Sequence, residues 1–172
     1  MTLKDNINGD EVTFCMNDYS LYKHTGKVWH SPPFYFGDGY KLCLAVYANG
    51  KGAGAGTHVS VELLQMKGEH DDKLDWNDLG SHTLSGIAIQ IMPQRKKTQT
   101  PEKEVLIKKH LCTKCFALQL PTEDLHVFKD SYGCAVSEDK FIDHQCTEQV
   151  MVLNDTITLR VIFAPFNYDC NI

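Results

Sequence analysis

Residues 40–63, which read YKLCLAVYANGKGAGAGTHVSVEL, predict the fold class of this chain. Two runs of alternating side chains flank a glycine-rich centre in this stretch. Successive side chains of a strand leave opposite faces of a sheet, so alternation is typical of half-buried β-strands. The first run divides between two faces: Leu42, Leu44 and Val46 on one, and Cys43, Ala45 and Tyr47 on the other. The glycine-rich residues 49–56 predict a hairpin loop between two antiparallel strands.

The same period of two recurs along the chain. In the second run we expect Val59, Val61 and Leu63 to point inward and His58, Ser60 and Glu62 to point outward. Residues 87–91 and 157–163 alternate in the same way. The short segment 137–141 predicts a single helical turn, with Ser137 as its N-cap. About seven or eight short strands without a long amphipathic helix predict an all-β sandwich or barrel.

Composition narrows the function classes. The chain has 172 residues, which suits a single domain, and its net charge is −5. A mildly acidic chain is a poor candidate for sequence-independent binding of nucleic acid, which needs a basic face. The sequence has no apolar window long enough for a transmembrane helix. Seven cysteines, an odd number, favour reduced thiols in the cytoplasm over a secreted disulfide framework.

Chemistry-bearing motifs are few. The segment 110–115 places a histidine beside a Cys-x-x-Cys, but no second pair completes a zinc set of four ligands. We therefore expect no metal and no cofactor, and this segment is the main support for an enzymatic alternative. The glycine-rich loop is followed by a strand, whereas a phosphate-binding loop precedes a helix. The residues thus point to no catalytic site.

One ordered series of motifs is more specific. It comprises WHSPPFY at 29–35, GYKLCL at 39–44, GTHVS at 56–60, MKGEHD at 66–71 and LDW at 74–76. The series closely resembles the MATH domain, which is the TRAF-C domain of tumour-necrosis-factor-receptor-associated factors. The resemblance extends over residues 11–163, with 1–10 and 164–172 as terminal extensions.

The resemblance implies an antiparallel β-sandwich of about eight strands that is not an enzyme. Family members bind short extended peptides, such as receptor cytoplasmic tails, by adding them to an edge strand. The corresponding edge falls near residues 131–135, where Gly133 lets a peptide backbone approach closely. The implied role is that of a cytoplasmic adaptor in TNF-receptor and innate-immune signalling, homotrimeric in its full-length context. The alternative within the family is substrate recognition for ubiquitin machinery.

The resemblance also implies a set of peptide-binding residues: Tyr47, Lys51, Thr113, Lys114, Cys115, Ser131, Tyr132 and Gly133. Several depart from the receptor-binding pattern. The family's arginine falls on Ala45, and its aspartate in the following hairpin falls on Lys51. Its serine-rich patch falls on residues 113–115, and a serine beside the edge glycine is Tyr132. Because a bidentate arginine is lost, we hypothesise a different peptide motif, with Lys51 and Lys114 as replacement cations for an acidic peptide.

Overall fold

The computed structural model describes the backbone of residues 11–36, 39–73, 86–93, 113–114 and 131–164. Side chains are described in these ranges except at 36, 86–88, 113–114, 131–136 and 162–164. The described strands are β1 (Glu11–Met16), β2 (Val28–His30), β3 (Phe34–Phe36), β4 (Tyr40–Tyr47), β5 (His58–Met66), β6 (Gly86–Ile91), β7 (Thr113–Lys114), β8 (Ser131–Asp143) and β9 (Ile157–Ala164). The helical segments are α1 (Tyr19–Thr25), α2 (His144–Cys146), a π-helical stretch (Thr147–Met151) and two 3-10 turns (Gly52–Gly54 and Asp71–Lys73).

The described strands form two antiparallel sheets. One has four strands in the order β1-β9-β6-β7, and the other has five, in the order β2-β4-β5-β8 with β3 also paired to β4. Buried apolar side chains from both sheets form one core cluster. Its members include Leu42, Leu44, Val46, Val59, Val61, Leu63, Ile89, Ile91, Leu159 and Val161. The predicted antiparallel sandwich is therefore confirmed, and the period of two identified its inner face.

Part of the outer face of the five-stranded sheet is buried. Cys43, Ala45, Leu64 and Met66 form a second buried cluster there, with Tyr47 packed against it. Ser60, which we expected to point outward, is 0% exposed. Its side chain does lie on the opposite face of the sheet from Val59 and Val61, but the loop between β4 and β5 covers it.

The predicted hairpin loop is confirmed. Strands β4 and β5 are antiparallel partners, with Tyr47 opposite Ser60, and residues 48–57 connect them. Gly50 adopts a φ of 73°, a left-handed conformation that favours glycine. A Cβ at Gly50 would also lie 2.2 Å from the carbonyl oxygen of Gly54. The glycines therefore serve a tight backbone approach within the loop.

One local prediction is wrong, and one helix was not predicted. Residues 137–141, predicted as a helical turn, lie within strand β8, where Ser137 pairs with Glu62 and Glu138 pairs with Val61. Cross-strand pairing overrides the local capping signal because it satisfies the backbone along the whole strand. Helix α1 was not predicted, and its first amides are bound by the distant Asp155. The Tyr19 amide donates to the Asp155 carbonyl at 2.9 Å, and the Ser20 amide donates to its Oδ1 at 2.9 Å.

Candidate functional site

Strand β8 ends the described five-stranded sheet. It pairs with β5 along one side, and no described strand pairs with its other side. In the pairing with β5, Gly133 lies opposite Gln65 and Cys134 lies opposite Leu64. The register shifts three times along this pair, which indicates bulges or irregularities. Among the described strands, the segment 131–135 therefore lies at the end of the sheet, which is where the resemblance places the expected peptide edge.

A polar cluster lies on the outer face of the same sheet, made of Tyr47, Lys51, Glu62 and Asp139. The Tyr47 hydroxyl donates to Glu62 Oε2 at 2.7 Å, and the Lys51 ammonium forms an ion pair with Glu62 Oε1. Lys51 Nζ also lies 3.8 Å from Asp139 Oδ1 and 5.5 Å from the centre of the Tyr47 ring. The Glu62 side chain is only 12% exposed. The Lys51 cation is therefore already matched by two carboxylates.

The position of the missing family arginine is buried. Ala45 is 0% exposed and lies opposite Glu62 on β5 and opposite His30 on β2. Burial lowers the pKa of His30, and the nearby Glu62 carboxylate partly offsets this effect. A lowered pKa keeps the imidazole neutral at pH 7. Neither Ala45 nor His30 therefore supplies the positive charge that an arginine would bring.

Strand β8 fixes the loop that carries Lys51. The Lys51 amide donates to Ser60 Oγ at 2.9 Å, and Ser60 Oγ donates to the Asp139 carbonyl at 2.5 Å. The Ala53 amide donates to Asp139 Oδ2 at 3.2 Å. Gly54 is buried against the Asp139 backbone. Through these contacts the loop, β5 and β8 hold the polar cluster as one unit.

The remaining sequence-predicted residues fall in three places. Thr113 and Lys114 form β7, which pairs with β6 at the end of the four-stranded sheet. Ser131, Tyr132 and Gly133 begin β8 in the other sheet. Cys115, like Cys112 and His110, lies outside the described residues. The structure thus brings Tyr47 and Lys51 together and assigns the 113–114 pair to the opposite sheet.

Sequence reasoning missed two members of the polar cluster. Glu62 follows from the hairpin register, because β4 and β5 place Ala45 directly opposite it and Tyr47 two residues away on the same face. Asp139 had no comparable signal, since it joins the loop by contacts across 86 residues of sequence. Among the described side chains no group of three potential metal ligands forms. No described helix is long and apolar enough to cross a membrane.

Comparisons with known proteins agree with one another. The sequence matches the family model of the MATH domain over residues 11–163. TNF receptor-associated factor 5 of Mus musculus is 43% identical over 67 residues, which cover 36% of this chain and 12% of that protein. TNF receptor-associated factor 2 of Homo sapiens is 51% identical over 47 residues, covering 27% and 9%. The chain therefore matches only a small part of the length of either relative.

The solved structures include TRAF5 of Notothenia coriiceps. It superposes with a TM-score of 0.61 at 22% identity, covering 89% of this chain and 72% of that one. At this level of identity the likeness concerns the fold.

Proposed function

The chain belongs to the MATH domain family, and we propose that it is a non-catalytic adaptor domain that binds an extended peptide along strand β8. The observation that carries this proposal is that β8 is the last of the described strands in the five-stranded sheet. An edge strand presents backbone N–H and C=O groups that a peptide strand can pair with. Main-chain hydrogen bonds then supply affinity, and nearby side chains supply selectivity.

The polar cluster supports a role for side-chain selectivity beside that edge. Glu62 pairs with Ser137 of β8, and Asp139 belongs to β8 itself. A peptide carboxylate that approaches Lys51 must compete with both of these acids, because both already lie within ion-pair distance of the ammonium. We propose that Lys51 and Tyr47 contact the peptide through this shared network. Thr113, Lys114, Cys115 and Tyr132 remain proposed contacts from the resemblance.

The source of the peptide is a further part of the proposal. The relatives are TNF receptor-associated factors, so we propose receptor cytoplasmic tails or signalling proteins as ligands. We also propose a cytoplasmic location and a homotrimeric full-length protein. Trimerisation would give avidity for clustered receptors although each single site binds weakly.

An N-methyl scan of a bound peptide tests the proposed edge pairing. A ligand is first selected from a random peptide library on the domain, and each of its amides is then methylated in turn. In an added antiparallel strand, alternate amides face the edge strand, so we expect losses of about tenfold or more at alternate positions. Methylation at the intervening positions should be tolerated. Uniform tolerance along the peptide would contradict strand addition.

Variants of the domain test the polar cluster separately. Lys51→Asp removes the cation that holds Glu62 and Asp139, and we expect it to change the affinity for the selected peptide. Lys27→Asp makes the same charge change at an exposed position outside the cluster and serves as the matched control. If both variants bind the peptide like the parent domain, Lys51 does not take part in recognition.

A further inference from the structure

The loop between β4 and β5 contains an asparagine that is followed by a glycine, Asn49-Gly50. Asn49 is exposed, so water and hydroxide reach it. Asparagine is a thermolabile residue. Glycine has no Cβ, so nothing hinders its backbone nitrogen from attacking the side chain of the asparagine before it. This dipeptide therefore has the composition of a spontaneous modification site.

The loop requires the glycine of this dipeptide. Gly50 has a φ of 73°, which disfavours any residue with a side chain. A Cβ there would lie 2.2 Å from the carbonyl oxygen of Gly54 and 2.5 Å from that of His58. Both obstructing atoms belong to the backbone, so no side-chain rotation makes room. A bulkier residue that would slow the reaction of Asn49 does not fit, and the fold itself keeps the reactive dipeptide in place.

The reaction joins the Gly50 nitrogen to the side chain of Asn49. The nitrogen gives its proton to a base and attacks Cγ, a new N–C bond forms, and the side-chain amide takes up a proton and leaves as ammonia. Water then opens the cyclic imide at one of its two carbonyls. The product is aspartate or isoaspartate, and in isoaspartate the main chain runs through Cβ. Water is the only co-reactant, and nothing is oxidised or reduced.

The folded loop holds the backbone on both sides of the reacting bond. The Gly50 amide donates to the Tyr47 carbonyl at 2.9 Å, and the Asn49 carbonyl accepts from the Gly56 amide at 2.7 Å. An amide whose proton is bound to a carbonyl is a poor nucleophile, and its nitrogen is not free to turn toward Cγ. The loop must therefore open locally before the attack, and the rate follows the population of the open loop.

Distant residues keep the loop closed at several points. The Ala53 amide donates to Asp139 Oδ2 at 3.2 Å. The His144 amide donates to the Thr57 carbonyl at 3.0 Å, and the His144 ring lies 2.9 Å from the Ala48 carbonyl through Nε2. Strand β8 and the start of α2 therefore protect Asn49, although neither is near it in sequence.

The product does not fit the closed loop. Isoaspartate adds one carbon atom to the main chain between two hydrogen bonds of 2.9 and 2.7 Å. It also adds a carboxylate. The loop must move to accommodate the longer chain, and Lys51 lies only two residues further on. Glu62, whose side chain is 12% exposed, then loses the ammonium with which it is paired.

We propose that Asn49 is a spontaneous deamidation site that the folded loop protects, and that its conversion to isoaspartate releases the loop that carries Lys51. The conversion is irreversible without repair, so the domain would accumulate a form with a displaced Lys51. The proposal does not depend on a peptide ligand.

Peptide mapping by mass spectrometry tests the protection. The folded domain and a synthetic peptide of residues 45–54 are incubated in the same mildly alkaline buffer, and the conversion of Asn49 is followed with time. The fragment that contains Asn49 is analysed apart from the one that contains Asn8, which also precedes a glycine. We expect the folded domain to react about fivefold to a hundredfold more slowly, because two hydrogen bonds must open first.

Variants identify the contacts that protect Asn49. Asp139→Ala removes the acceptor of the Ala53 amide and should speed the conversion by about twofold to tenfold. Asp72→Ala removes an exposed acid elsewhere and serves as the matched control. Asn49→Gln should abolish the mass change, because its longer side chain forms the cyclic imide far less readily.

The converted domain tests the consequence for the loop. Once separated from the parent, it should show displaced amide signals at Lys51, Ala53 and Asp139 and a lower urea midpoint. Asn49→Gln carried through the same incubation should keep both unchanged.

Four results would overturn the proposal: no conversion of Asn49 in the synthetic peptide, equal rates in the peptide and the folded domain, Asp139→Ala reacting no faster than Asp72→Ala, or a converted domain with the amide signals of the parent. Amide spectra of each variant before incubation show whether it is folded, and the comparison of the parent with the peptide needs no variant.

Discussion

Replacing Gly54 by alanine should displace the loop that carries Lys51. The Cβ of an alanine at this position would lie 1.7 Å from the carbonyl oxygen of Asp139 and 2.7 Å from its carbonyl carbon. The first distance is about half of an ordinary contact between heavy atoms. Because the obstructing atoms are backbone, no side-chain rotation relieves the clash. Either the loop or strand β8 must move.

The cost can be worked out from the contacts that would break. Three hydrogen bonds hold the loop here, from Lys51 to Ser60, from Ser60 to Asp139 and from Ala53 to Asp139. Each contributes about 0.5–1.5 kcal/mol, and overpacking a well-filled site costs about 1–3 kcal/mol. If all three bonds are lost and the site is overpacked, we expect a loss of about 2.5–7.5 kcal/mol in the free energy of unfolding. For a chain of this length that corresponds to a decrease in Tm of roughly 5–30 °C.

Urea unfolding followed by circular dichroism measures the effect, with Gly56→Ala as the matched control. Gly56 has a φ of 74°, but a Cβ there would meet no atom within 4 Å. The control should therefore lose only the cost of a left-handed alanine, about 1–2 kcal/mol. If Gly54→Ala loses no more stability than Gly56→Ala, the contact with Asp139 does not have the energetic role assigned to it here.

Three further predictions concern the described side chains. A double-mutant cycle of Glu62→Gln and Lys51→Met, measured by urea unfolding, should give a coupling free energy of about 0.5–2 kcal/mol, because the ion pair is largely buried yet partly solvated. A coupling free energy near zero would contradict the ion pair. Burial lowers the pKa of His144 below its ordinary 6.5, so around this pH the unfolded state binds more protons than the folded state. The free energy of unfolding should therefore fall as the pH drops from above 6.5 toward the folded pKa. His144→Gln should reduce this dependence of the free energy of unfolding on pH between pH 7 and 5. Burial raises the pKa of the Cys146 thiol to about 11, so mapping of alkylated peptides should find exposed Cys15 modified before Cys146, which should react only on unfolding. Early labelling of Cys146 would refute its burial.

The strands were predictable from the sequence where one face is buried. Leu42, Leu44 and Val46 repeat with a period of two, and the structure buries all three completely. A one-residue slip would expose them, so the pattern fixes both the element and its orientation. The glycine-rich loop was predictable for the same local reason, since its residue types suit a tight turn between strands.

Features that depend on distant residues were not predictable in this way. The segment 137–141 carries a local signal for a helix N-terminus, but its pairing with β5 decides its conformation. Helix α1 begins after Asp18, whose side chain makes no capping hydrogen bond. Its first amides are instead satisfied by Asp155, 135 residues away in sequence for the Ser20 contact. Such long-range contacts leave no pattern in a local window.

The candidate site also combines residues that the sequence predicted with residues that only the strand pairing reveals. The motif resemblance predicted a role for Tyr47, Lys51 and the 131–133 segment, and the structure adds Glu62 and Asp139 as two acids that contact Lys51. The hypothesis of a free replacement cation at Lys51 arose because the sequence shows the reversed charge but not its partners. Knowledge of the register across β5 and β8 was needed to see that the charge is already matched.

Amide hydrogen exchange of the domain, with and without a selected peptide, measures whether the peptide pairs with strand β8. Strand addition predicts that alternate amides of residues 131–136 exchange more slowly in the complex, because those that face outward gain a hydrogen-bond acceptor. Protection confined to other parts of the chain, with no change along β8, would contradict a peptide site at this edge.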